Sequence, residues 1–167
     1  MSESTNGSSF SLTEQIDDYL GYGDVSQRRS SDLAVRSFLI SNLKPLIGHL
    51  DHTYEADDPK TQDKLDKLVE STKRKLNTIC QSLNDPTYKH EAFFKVDTIP
   101  QETEKKIYDL EHRMIEETEN IEGELESLSQ QTLKEEIFDD HFLHIDTFVD
   151  NINQSIFERE ALILGDE

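Results

Sequence analysis

The sequence predicts an all-α, elongated protein, an N-terminal helical hairpin followed by long acidic coiled-coil helices. Three observations predict it. Ile107, Leu110, Met114, Thr118, Ile121, Leu125 and Leu128 form one apolar stripe, and Phe138, Phe142, Ile145, Val149, Ile152 and Ile156 form a second, at steps of three and four with no proline between. Such spacing puts a narrow seam on one face of a helix. Hydrophobic residues make up 34% of the chain and charged residues 32%, against roughly 45–50% and 25% in ordinary globular domains. That balance suits helices with much surface and a thin interior. Finally, the chain shows neither strand alternation nor an internal repeat.

Taken in order, residues 1–10 are rich in Ser, Gly, Asn and Thr and are expected to form a disordered tail. Residues 11–31 hold a short helix and a linker. Ser11-Leu12-Thr13-Glu14 reads as a capping box, with Phe10 packing back onto the first turn. The helix runs to about Leu20, where Gly21 and Gly23 stop it. Residues 32–97 are the helical hairpin. Ser31 caps a helix from Asp32 to His49 with Leu33, Phe38, Leu39, Leu43, Leu46, Ile47 and Leu50 inward. Pro45 should kink it, since proline lacks the N–H donor and clashes with the preceding turn. Asp58 as cap and Pro59 at the first position start the next helix. It carries Leu65, Leu68, Val69, Leu76, Ile79, Cys80 and Leu83 to a stop at Asn84-Asp85-Pro86. The connection after it bears Tyr88, Phe93, Phe94 and Val96, an aromatic cluster that either plugs the hairpin or docks a partner. Residues 98–167 are the coiled-coil stalk, capped at Thr98. Between Leu128 and Phe138 the stripe lapses, so a hinge near 129–132 and a fresh capping box at Thr132-Leu133-Lys134-Glu135 compete with one continuous helix.

Formal net charge is −19, and it is unevenly placed: 21 acidic and 5 basic residues lie from Asp97 onward, against 15 and 12 before it. Such a region is repelled by phosphates and anionic lipid, so no direct nucleic-acid binding and no membrane insertion are expected. The acidic side chains are either a solvated helix face or a surface that steers a basic protein partner. Cys80 is the single cysteine, so no internal disulfide forms. The chain lacks both a signal-peptide core and an apolar run of about 18 residues. An intracellular, soluble protein of the nucleus or cytoplasm is expected.

The motifs that carry chemistry are thin. His141 and His144 share a helix face and sit beside Asp139 and Asp140, the spacing of a metal-binding pair. His49 and His52 repeat that spacing, but no matching ligand cluster accompanies either. Asp51-x-Thr53-x-Glu55-x-Asp57 imitates a calcium loop and lacks its glycine and its final glutamate, with Ala56 and Gln62 in those places. Paired glutamates such as Glu116 and Glu117 lack any sign of a pocket to shift their pKa values. There is no phosphate-binding glycine loop and no nucleophile elbow. No enzyme activity and no cofactor are expected. Arg28-Arg29-Ser30-Ser31-Asp32 has two readings: a plain polar linker with Ser31 as cap, or a basic-directed kinase site at Ser30 and Ser31. A phosphate there would sit at a helix N-terminus.

The junction Phe93-Phe94-Lys95-Val96-Asp97-Thr98-Ile99-Pro100, running into Ile107-Tyr108-Asp109-Leu110-Glu111, resembles the Mis-fourteen-like subunit of the MIND kinetochore complex. The resemblance covers residues 33–128. The family's arginine-rich step after that helix is replaced here by Ser127-Leu128-Ser129-Gln130. The resemblance implies a rod-like heterotetramer of α-helical subunits that links centromere-bound inner proteins to microtubule-binding outer ones, with no catalysis. On either footing the expected function is that of a structural subunit joining other coiled-coil subunits in a hetero-oligomer. The partner-binding seam is Ile107, Leu110, Met114, Ile121, Leu125, Leu128, Phe138, Phe142, Ile145, Val149, Ile152 and Ile156. The alternative function is an acidic helical adaptor in membrane traffic or transcription that binds a basic protein.

Overall fold

A computed structural model describes residues 11–51, 54–88, 91–129 and 134–165. The expected tail at 1–10, His52 and Thr53, residues 130–132 of the hinge expected near 129–132, and Thr132 and Leu133 of the capping box lie outside that set. Five α-helices follow in order: α1 Leu12–Gln15, α2 Arg28–His49, α3 Pro59–Asn84, α4 Gln101–Ser129 and α5 Glu135–Leu164, with a 3-10 turn at Ala92–Phe94. No strand occurs among the described residues, and none of their helices is long and apolar enough to cross a membrane.

The clearest sequence signals set the element boundaries. Asp58 precedes Pro59 in extended backbone, and its carboxylate accepts from the Lys60 and Thr61 N–H groups, both at 3.0 Å. Those groups open α3 and have no partner within the helix. Asp58→Ala is expected to cost about 1 kcal/mol, read as a lower midpoint in urea unfolding. α5 ends on Gly165 at φ +81, the left-handed turn that glycine adopts without strain.

Three boundaries differ from the predicted ones. α4 begins at Gln101, with the Pro100 carbonyl accepting the Glu104 N–H, so Thr98 is not its cap. The other two share one reason. α1 is a single turn that ends at Gln15 instead of Leu20, and α2 begins at Arg28 instead of Asp32. Past α1 the chain runs through extended Ile16 and left-handed Asp18 (φ 64). This turns Ile16, Tyr19 and Tyr22 into the protein, where each is at most 3% exposed. Tertiary burial overrides local helix preference here. Ser31 is not a cap. It lies inside α2, fully buried, with its hydroxyl accepting the Leu20 N–H at 3.0 Å. Pro45 is exposed and α2 continues through it.

Helices α2 to α5 form a four-helix arrangement built from two hairpins. α4 and α5 are antiparallel: Glu111 meets Arg159, Glu117 meets Asn151 and Glu124 meets His141. α3 runs beside α5 in the same direction, with Lys64 on Glu135 and Asp139 and Lys75 on Asp146. α2 packs on α3 and α4. Residues 85–88 and 91–100 thus lie across the end of the bundle, where α4 comes beside α2. Their aromatic side chains plug that end: Tyr88, Phe93 and Phe94 are buried and packed edge-on or stacked.

This packing corrects the elongated stalk. The seam proposed for partners is filled by the chain itself. Ile107, Met114, Ile121, Leu125, Leu128, Phe138, Phe142, Ile145, Val149 and Ile152 are each at most 3% exposed, Leu110 is 7% exposed, and Ile156 is half-buried against the same core. The physical reason is that α2 and α3 offer a second apolar face of matching length. Burial at about 25 cal/mol per Å² favours closing the two hairpins on each other.

Candidate functional site

The plugged end of the bundle holds the densest polar construction among the described residues. Arg159 of α5 is its centre and is 4% exposed. Its Nε donates to Glu111 Oε1 at 2.8 Å, and Nη2 donates to Asp32 Oδ1 at 2.7 Å and to the Tyr22 hydroxyl at 3.0 Å. Nη1 donates to the Tyr88 hydroxyl at 2.7 Å. Glu111 in turn accepts from Tyr19 at 2.7 Å and Tyr22 at 2.5 Å. Asp32 accepts from Tyr88 at 2.7 Å and from Arg36 at 3.0 Å. The cluster therefore joins the segment after α1, α2, the aromatic junction, α4 and α5.

The charges are arranged to cancel, with Arg159 and Arg36 against Glu111 and Asp32. Burial works to raise the Asp32 carboxyl, but the Arg159 guanidinium, its hydrogen bond, Arg36 and the Tyr88 hydroxyl together hold it below the usual carboxylate range. Glu111 is fully enclosed, and burial pushes its carboxyl up against the pull of Arg159 and the tyrosine hydroxyls. Burial also raises the Tyr88 phenol to about 12 and the Tyr22 phenol well above its ordinary value. The tyrosines thus serve as neutral donors. Each carboxylate in the cluster is engaged with a buried partner, so the arrangement acts as a latch and offers no group poised to take a proton from a substrate.

Arg28 makes a second fastening beside it. Fully buried, it donates to the carbonyl oxygens of Tyr22 (2.7 Å), Phe93 (2.7 Å), Val96 (2.8 Å) and Asp97 (3.2 Å). It thereby binds the Gly21–Gly23 turn to the junction. Arg29 stands 4.7 Å over the Phe94 ring. Of the two arginines in the kinase reading, Arg28 is thus committed to buried bonds and Arg29 stays exposed. Ser31 is closed to solvent, and Ser30 is exposed with its hydroxyl 3.5 Å from the Asp18 carbonyl.

Beside the latch lies an open cavity of about 590 Å³, lined by Tyr19, Gly21, Tyr22, Gln101, Glu102, Glu104, Lys105 and Tyr108. Elsewhere, His141 and His144 both turn to Glu124 of α4, His144 Nδ1 at 3.1 Å from Oε1 and His141 on Oε2. The pair weighed as metal ligands clasps α4 to α5 instead. Among the described residues no group of three or more His, Cys, Asp or Glu is placed to hold a metal. Cys80 is free and buried. No protein-family model, curated protein or solved structure matches the chain.

Proposed function

We propose that the protein is a non-catalytic helical subunit of a multi-protein assembly, and that it docks a basic protein partner on the acidic outer face of α4 and α5. The observation behind this is the segregation of charge between the two hairpins. α4 and α5 together carry 18 acidic and 4 basic side chains, while α2 and α3 carry 4 acidic and 10 basic. α4 and α5 lie side by side, so most of this negative charge shares one side of the bundle. Such a field speeds and orients encounter with a positive surface. The apolar seam is occupied internally, so partners are met through the outer faces. The kinetochore-linker form of this reading rests on the resemblance carried by residues 93–100 and 107–111.

Glu122, Glu126 and Asp150 are exposed and lie outside the latch. Affinity capture with the full chain, in parallel with the E122K/E126K/D150K variant, tests the reading. Partners are expected to be held by the parent chain, lost by the variant, and released as salt shortens the screening length to a few Å near 1 M. The same partners on both proteins, insensitive to salt, would overturn it.

A further inference from the structure

The cavity at the latched end has walls of two kinds on one helix. Glu104 and Tyr108 are four residues apart on α4, so a carboxylate and an aromatic ring stand side by side on one face. The Glu104 carboxylate has no ion pair among the described residues. It leans over the glycine turn: a methyl group on Gly23 would stand 3.4 Å from Glu104 Oε1, and one on Gly21 3.8 Å. Gly21 holds φ +81, a conformation that disfavours any side chain. The turn therefore keeps that wall of the cavity bare. Tyr19 and Tyr22 form the floor, their hydroxyls committed to Glu111. Tyr108 is half-buried, and its hydroxyl accepts the Leu12 N–H at 3.4 Å. At the rim, Glu102 pairs with Lys106 at 3.0 Å and Lys105 is exposed.

We propose that this cavity receives an arginine side chain of the basic partner, its guanidinium stacked on Tyr108 and forked onto Glu104. A planar guanidinium is the group that satisfies a ring face and a carboxylate edge together, which a lysine ammonium does less well. The cavity has the size of a small-ligand site. Lys105 and the positive end of α4 oppose a cation, while Glu104, standing within the cavity, favours one. The inference deepens the proposed docking reading by naming the anchor.

Titration of the isotopically labelled full chain with N-acetyl-arginine amide, followed by NMR, tests it. Saturable shifts are expected at Gly21, Gly23 and Tyr108, with weaker ones from N-acetyl-lysine amide. Glu104→Gln should raise the dissociation constant about tenfold or more with an unchanged melting temperature. Glu126→Gln lies about 33 Å further along α4 and should leave binding unaltered. The absence of saturable shifts, an equal loss in both variants, or stronger shifts from inorganic phosphate would each overturn the proposal. The E122K/E126K/D150K variant should still bind the arginine probe, so failure of the outer face and failure of the cavity are told apart.

Discussion

Arg159→Met is expected to lower the unfolding free energy by about 3–5 kcal/mol, the usual result of removing one partner from a buried ion cluster. For a chain of this size that is a fall of about 10 °C in melting temperature. Asp32 keeps Arg36, whereas Glu111 keeps only tyrosine donors and becomes the uncompensated charge. Its carboxyl, already raised by burial, rises further. A raised carboxyl binds a proton in the folded state that the unfolded state has released, so its penalty grows as pH climbs from the unfolded carboxylate value through the folded one. The defect should therefore be larger at pH 8 than at pH 5.5 in urea unfolding followed by circular dichroism. Adding Glu111→Gln should recover part of the loss at pH 8, because a neutral amide still accepts from the tyrosines. Asp32 has the opposite sign. It is held below its usual range, so its contribution to the parent protein is present at neutral pH and is lost as pH falls through the lowered value. An Arg159→Met protein with an unchanged urea midpoint at both pH values would show that the latch does not hold the bundle.

Ile152→Asp is expected to remove the fold itself. Ile152 is fully buried on α5, and the substitution loses an apolar side chain and places a carboxylate within the hydrophobic core. The cost is about 4–5 kcal/mol or more, a large share of the roughly 5–15 kcal/mol that holds a domain together. The helical signal should fall and the cooperative melt disappear at ordinary protein concentration. Phe157→Asp is the control. Phe157 lies five residues on along α5 but is 68% exposed, and its substitution should change stability by less than about 0.5 kcal/mol. If Ile152→Asp instead left a cooperative monomer and abolished only association with other subunits, the seam would face partners after all.

The helices were legible because their periodicity, caps and breakers agree. Asp58-Pro59 and the stripes of α3, α4 and α5 are local signals that the fold respects. The destination of the stripes was not legible, since periodicity shows that a face is covered but not by what. The latch had a signal that stripe-reading passed over. Arg28 and Asp32 fall in step with Val35, Leu39, Leu43 and Leu46; Glu111 with Ile107, Met114 and Thr118; Arg159 with Ile152, Ile156 and Ile163. Charged residues of both signs at core positions of three helices, one of them the only Lys or Arg of α5, are costly unless they meet. Their pairing could have been expected from that cost. The tyrosines that complete the cluster lie in irregular chain, where no period marks an inward side.

Asp32 and Glu111 are made by the ribosome well before Arg159, and the hydrogen bond from Arg159 to Tyr22 joins residues 137 positions apart. During synthesis Glu111 emerges before the guanidinium that neutralises it, whereas Asp32 already has Arg36 beside it in the chain. The growing polypeptide must keep its first hairpin and α4 from settling on wrong neighbours until α5 arrives.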